Sequence, residues 1–145
     1  MDPIWSVRLR PIPKRKAKDA RMSKALVVDD SRAVRMLLVR ILRQLGYEVQ
    51  EAANGREALE IVEAGNSGVQ LVLTDWNMPE INGLDLLKKL RENTALSSVA
   101  VVMVTTETEI QHIAEAMDAG ANEYVMKPFT RDILVEKLQL QGIHP

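Results

Sequence analysis

The chain has 145 residues, 46% apolar and 27% charged, which suits one globular domain with a core of its own. Its net charge of −1 names no partner, and with no cysteine it has no disulfide or thiolate metal site, so a reducing cytoplasm is the expected setting. No apolar run approaches membrane-spanning length, and no membrane insertion is expected.

Charge is unevenly spread. Residues 1–22 hold seven bases against two acids, a net of +5, whereas the other 123 residues hold twelve bases against eighteen acids. This leader lacks the apolar centre of a secretory signal, and Pro3, Pro11 and Pro13 amid scattered charge read as a disordered extension. A basic tail can dock on nucleic acid or acidic lipid. With so few bases a solvated extension is the better reading, and no direct DNA binding is expected. The folded unit is expected over 23–145.

From there the chain alternates. Ala25-Leu26-Val27-Val28 is a β-rich run ending in Asp29-Asp30. Ser31 can cap a helix whose Val34, Leu37, Leu38, Ile41 and Leu45 keep helical spacing up to Gly46. Tyr47 to Ala52 reads as a more polar strand nearer a sheet edge. Asn54-Gly55 then turns into a helix with Ala58, Ile61 and Val62 inward, closed by Gly65 and Gly68. Leu71-Val72-Leu73 is a buried strand that delivers Thr74-Asp75 to its end, where Asn77 and Pro79 break the pattern. Asn82 can cap a helix bearing Leu86, Leu87 and Leu90 on one face. Val99 to Val104, the most continuous apolar run, ends in Thr105-Thr106. Thr108 can cap a helix with Ile110, Ile113, Ala114 and Met117, stopped by Gly120. Glu123 to Met126 is a fifth strand running into Lys127-Pro128, and Thr130 caps a last helix through Ile133, Leu134 and Leu138.

Five strand–helix units in strict alternation imply an α/β fold. The first, third and fourth strands are too uniformly apolar for a sheet with a wet face, so they need helices on both sides, as a parallel sheet provides. In such folds the ligand site lies beyond the carboxyl ends of the strands. Those ends carry Asp29-Asp30, Asp75, Thr105-Thr106 and Lys127. Clustered carboxylates repel unless a cation joins them. Oxygen donors without His or Cys suit a hard ion such as Mg²⁺. A lysine and a hydroxyl beside a metal match the needs of a phosphoryl group, and a carboxylate in their midst can attack it. The paired acids after the first strand argue against flavin phosphate binding, which needs hydroxyls and backbone N–H groups there. At this point Asp75 stands as nucleophile, metal ligand or turn former.

Four pieces in order narrow the choice. Leu26-Val27-Val28-Asp29-Asp30-Ser31, Asp75-Trp76-Asn77-Met78-Pro79 with Asn82-Gly83, Thr105-Thr106-Glu107, and Tyr124-Val125-Met126-Lys127-Pro128-Phe129 together resemble a response-regulator receiver domain of the stand-alone chemotaxis type. The resemblance runs from about Ala25 to the C-terminus. It implies a flavodoxin-like, doubly wound five-stranded parallel sheet of order 2-1-3-4-5 with five helices.

It also implies roles. Asp75 matches the phosphoacceptor, phosphorylated by a histidine kinase with Mg²⁺ required. Asp30 matches a direct metal ligand, Asp29 its neighbour acting through metal-bound water, and Asn77 the position whose backbone carbonyl completes the metal shell, with Asp75 itself a ligand. Lys127 matches the lysine that pairs with the phosphoryl oxygens, its bond to Pro128 typically cis. Thr105 matches the hydroxyl that swings toward the phosphoryl group and Tyr124 the aromatic that follows it, biasing the face formed by helix four, strand five and helix five. Asn77 and Glu107 sit where the family tunes dephosphorylation, and both match the chemotaxis type, so a short-lived phosphate is expected. Thr106 stands where a small residue is usual and is expected to restrict access; Asn82 stands where Asp is common, and either caps a helix.

The bland readings are also specific. Asp29 can be a helix-entry acid, Thr105 a β-branched strand residue and Tyr124 core. Trp76 is expected to cover the rim of the site, His112 and His144 to lie on the surface, Met103, Met117 and Met126 to fill core, and Lys88, Lys89 and Arg91 to form a solvated helix face. The functional expectation is a diffusible regulator, not an enzyme, that binds a flagellar motor switch component or another output protein when phosphorylated. The alternative is a phosphorelay intermediate or phosphate sink working with a histidine phosphotransfer protein. A remoter one is a Mg²⁺-dependent phosphatase with an aspartyl nucleophile, which usually needs a second Asp where this chain has Asn77.

Overall fold

The computed structural model describes residues 23–64, 67–107 and 109–145, so the basic leader, the helix-closing Gly65 and the capping Thr108 lie outside the described residues. The elements are β1 (Lys24–Val28), α1 (Arg32–Gln44), β2 (Glu48–Ala52), α2 (Gly55–Glu63), β3 (Val69–Thr74), α3 (Gly83–Glu92), β4 (Ala100–Thr105), α4 (Ile110–Asp118), β5 (Glu123–Met126) and α5 (Arg131–Leu140). The strands form one sheet of order β2-β1-β3-β4-β5, and every neighbouring pair is parallel. This is the flavodoxin-like topology that the resemblance implied.

Side-chain alternation explains why both faces are covered. Leu26 and Val28 of β1 join a cluster with Ala58 and Val62 of α2, Leu86, Leu87 and Leu90 of α3 and Ala116 of α4. Ala25 and Val27 point the other way and join Leu38, Ile41 and Leu42 of α1 with Leu134 and Leu138 of α5. The helices begin where short polar side chains replace missing backbone acceptors. Ser31, Asn54, Asn82 and Thr130 accept from the N–H groups of Val34, Glu57, Asp85 and Ile133, respectively. Helix α4 instead starts from Glu109 with no side-chain cap bond. Gly46 (φ 105°) and Gly120 (φ 106°) follow α1 and α4 in the left-handed region, which lets the chain leave each helix without Cβ strain.

Several surface assignments differ from expectation. Met103 is buried, but Met117 and Met126 are 42% and 46% exposed rather than core filler. β5 lies at the edge of the sheet, where one covered face suffices. On α4, Ile110, Ala114 and Met117 face solvent, while Ala116 and Ile113 face the core. Arg91 is not on a solvated face. Its guanidinium donates to the carbonyls of Ser97, Val99 and Gly120 and to Asn122 Oδ1, tying the end of α3 to the approaches of β4 and β5. Burial lowers its pKa.

Register sets the functional rim. Val28 pairs with Thr74, so Asp29 and Asp75 leave adjacent strands at the same level. Thr105 pairs with Met126, which puts Lys127 one residue beyond the end of β4. Among the described residues no helix is long and apolar enough to cross a membrane.

Candidate functional site

Asp75 is held at both oxygens. Oδ1 accepts from the Trp76 backbone N–H at 2.7 Å, and Oδ2 accepts from Lys127 Nζ at 3.1 Å. Asp29 is held similarly, Oδ1 accepting from Ser31 N at 2.8 Å and Oδ2 from Lys127 Nζ at 2.8 Å. Arg35 steadies the same turn by donating to the Asp29 carbonyl at 2.7 Å. Gly83 permits the close turn after β3, because a Cβ there would overlap the Asp75 carbonyl. The Lys127–Pro128 bond is cis.

Carboxylate oxygens of Asp29, Asp30 and Asp75 lie within 4.8 Å of one another. Asp29 and Asp75 are buried, Asp30 exposed. Burial works against the Lys127 ammonium, but its hydrogen bonds and the charges of Asp29 and Asp75 outweigh that and raise its pKa. One lysine cannot neutralise three carboxylates, so the group retains an excess of negative charge facing the solvent. The donors are all oxygen, with no imidazole or thiolate, which fits a hard divalent cation such as Mg²⁺.

A second ring surrounds these acids. Thr105 is fully buried at the end of β4, and its Oγ1 accepts from Glu107 N at 3.4 Å. Tyr124 is buried too and donates its hydroxyl to the Glu107 carbonyl at 2.7 Å. Burial, Glu107 and Asp75 push its pKa up to about 12. Asn77 Nδ2 donates to Glu107 Oε2 at 3.1 Å, joining the loops after β3 and β4. Thr106 is exposed, and Trp76 is buried in the core cluster beside the site. Asp29, Asp30, Asp75, Asn77, Thr105, Glu107, Tyr124 and Lys127 thus meet at one end of the sheet. Sequence reasoning missed His112. Its ring packs on Trp76 with centroids 5.2 Å apart, and Nδ1 lies 2.7 Å from Glu107 Oε1.

Residues 25–139 match the family described as response regulator receiver domain. This chain belongs to that family. The receiver domain is 46% identical over 118 residues to the chemotaxis protein CheY1 of Helicobacter pylori, an alignment covering 81% of this chain and 94% of that one. It is 44% identical over 117 residues to the chemotaxis protein CheY homolog of Campylobacter jejuni, covering 80% and 89% of the two chains. Among solved structures, CheY4 of Vibrio cholerae superposes with a TM-score of 0.75 at 34% identity over 83% of this chain and 98% of that one. A CheY-like receiver domain from Methanospirillum hungatei also superposes with a TM-score of 0.75, at 32% identity over 83% and 93% of the two chains. The protein is therefore a receiver domain closely related to chemotaxis regulators, and it fits a phosphorylatable response regulator in chemotaxis-type signalling.

Proposed function

We propose that Asp75 is the phosphoacceptor and that this receiver domain is a switch, not an enzyme that turns over an external substrate. The observation that carries the reading is the bridging of Asp29 and Asp75 by Lys127, beside the buried Thr105 hydroxyl. Asp75 Oδ2 attacks the phosphorus of a kinase phosphohistidine. The P–N bond breaks, the imidazole leaves, and an acyl phosphate forms on Asp75. A Mg²⁺ ion would be held by Asp30, Asp75 and the Asn77 backbone carbonyl, with Asp29 acting through metal-bound water, and would supply neutralising charge for the phosphoryl oxygens. Lys127 Nζ, already donating to Asp75, is positioned to follow the charge onto the phosphoryl group, and Thr105 supplies a hydroxyl to the same oxygens. Asn77 offers an amide rather than a carboxylic acid, so no general acid stands where an aspartyl phosphatase would need one.

Thr105 reaches the output surface through Glu107, whose N–H meets its hydroxyl and whose carbonyl receives Tyr124. That surface carries exposed Ile110 and Met117 on α4, Met126 on β5 and Ile133 on α5. Phosphorylation moves Thr105 and Lys127, Tyr124 follows, and the exposed apolar face changes its fit to a partner. The donor is a histidine kinase. The acceptor of the signal is an output protein such as a flagellar motor switch component, and a cytoplasmic exchange fits both. The domain spans 23–145, with residues 1–22 a basic extension. Incubation with acetyl phosphate or a histidine kinase plus Mg²⁺ is expected to give an acid-stable, base-labile label. Asp75→Asn is expected to abolish it, and label that survives this change sinks the assignment.

A further inference from the structure

Glu107 has two neighbours for its carboxylate, and they lie on opposite sides. Oε2 accepts from the Asn77 side chain at 3.1 Å, which spans from the loop after β3 to the loop after β4 beside Asp75. Oε1 lies 2.7 Å from Nδ1 of His112, in the first turn of α4. A carboxylate oxygen accepts, so the contact favours the His112 tautomer with its hydrogen on Nδ1. That atom is shielded from solvent and has no well-aligned hydrogen bond, so its short contact with Glu107 rests on electrostatics and packing rather than on direction. A second carboxylate oxygen, from Glu109, approaches the same nitrogen at 3.4 Å. The ring also packs on Trp76, with centroids 5.2 Å apart and a 46° tilt. Trp76 in turn is the residue next to Asp75, and its N–H holds Asp75 Oδ1. His112 therefore touches both walls of the acceptor site without touching Asp75.

We infer that His112 is a positioning residue for the acylphosphate: it holds Glu107 against Asn77 and thereby keeps water from the phosphoryl group on Asp75. The inference rests on the assignment of Asp75 as phosphoacceptor. The hydrolytic water must approach the phosphorus from the side opposite the Asp75 oxygen, which is the open rim of the strand ends. The Asn77–Glu107 bridge lies across the loops that form that rim. A partly exposed glutamate has several rotamers open to it, and one hydrogen bond to an exposed amide does little to choose among them. The His112 contact supplies a second anchor, from an element with its own packing. Without it, Glu107 samples solvent, the Asn77 amide is released, and water enters more often.

The test follows label loss after loading with acetyl phosphate and Mg²⁺ and removal of the donor. His112→Ala is expected to lose label roughly three- to tenfold faster than the unaltered chain. His112→Phe keeps a ring against Trp76 but no Nδ1, and is expected to match His112→Ala. Glu107→Ala combined with His112→Ala is expected to be no faster than the faster single change, because both act through one bridge. An unchanged or slower loss in His112→Ala, a normal rate in His112→Phe, or independent multiplication of the two effects overturns the proposal. The Asn77 side-chain amide resonance supplies a readout that needs no phosphate, and it is expected to shift in His112→Ala as it does in Glu107→Ala. A chain that takes no label refutes the acceptor assignment, and with it the protection of an acylphosphate, while the hold of His112 on Glu107 is still read from the Asn77 resonance. An Asn77 resonance unmoved by His112→Ala then refutes the role of His112.

Discussion

At the scale of single residues, the acids beyond β1 and β3 are not equivalent. Asp29 and Asp75 share Lys127 and each accepts a backbone N–H, so their charges are partly compensated locally. Asp30 lies within 4.8 Å of both and is exposed. In the metal-free protein its charge opposes folding; with a divalent cation present it favours binding. Asp30→Asn is thus expected to raise metal-free stability by about 0.5–1 kcal/mol, a surface-scale effect screened by solvent. It is also expected to weaken Mg²⁺ binding. Urea unfolding with and without Mg²⁺ checks both, since the ion should stabilise the unaltered chain more than the variant. Equal stabilisation of the two refutes this division of labour. The three acids were legible in sequence because each ends a strand, and strand ends converge. The contact of His112 was not legible. It depends on how far α4 is rotated about its axis, which an exposed apolar stripe of Ile110, Ala114 and Met117 disguises.

At the scale of elements, strand positions and most caps were written locally. Ser31, Asn82 and Thr130 each stand just before a helix and make the expected bond, and Asn54 makes the same bond before α2. Uniformly apolar strands identified a doubly covered sheet, whereas its order came from resemblance, because no local pattern says which strands neighbour one another. Arg91 shows what local pattern hides. Beside Lys88 and Lys89 it reads as one more surface base, yet its guanidinium satisfies carbonyls from segments up to 29 residues away in sequence. Arg91→Ala leaves those carbonyls without a donor and is expected to cost about 2–4 kcal/mol in urea unfolding. Arg91→Lys is expected to recover only part of this, because an ammonium cannot present the planar fork. Full recovery by lysine means that the contact is charge alone. Gly83 carries the same lesson at the site: it appeared in sequence as part of a motif, and its physical reason is the Asp75 carbonyl that a Cβ would strike.

For the whole molecule, titrating groups sit at both ends of the sheet and push stability in the same direction. Tyr47, just before β2, is buried, and burial pushes its pKa up to about 12. Tyr124, at the rim, also rises to about 12 through burial and the charges of Glu107 and Asp75. Lys127 is raised as well, its ion pairs outweighing the opposing effect of burial. In the unfolded chain these groups release their protons near their ordinary values, about 10 for tyrosine and about 10.4 for lysine. Above that point the folded state binds more protons than the unfolded state, so unfolding free energy falls as pH rises. The contribution is complete below about pH 10, is lost across the interval up to the folded values, and reaches about pH 12 for the two tyrosines. Tyr47 is the cleanest probe, because its shift has burial as its one cause. Urea midpoints measured from pH 9 to pH 11.5 are expected to fall, and to fall less steeply in Tyr47→Phe, which has no proton to lose. Parallel curves for the two chains mean that the Tyr47 phenol ionises alike in the folded and unfolded states, and that the lower end of the sheet has no share in the alkaline loss.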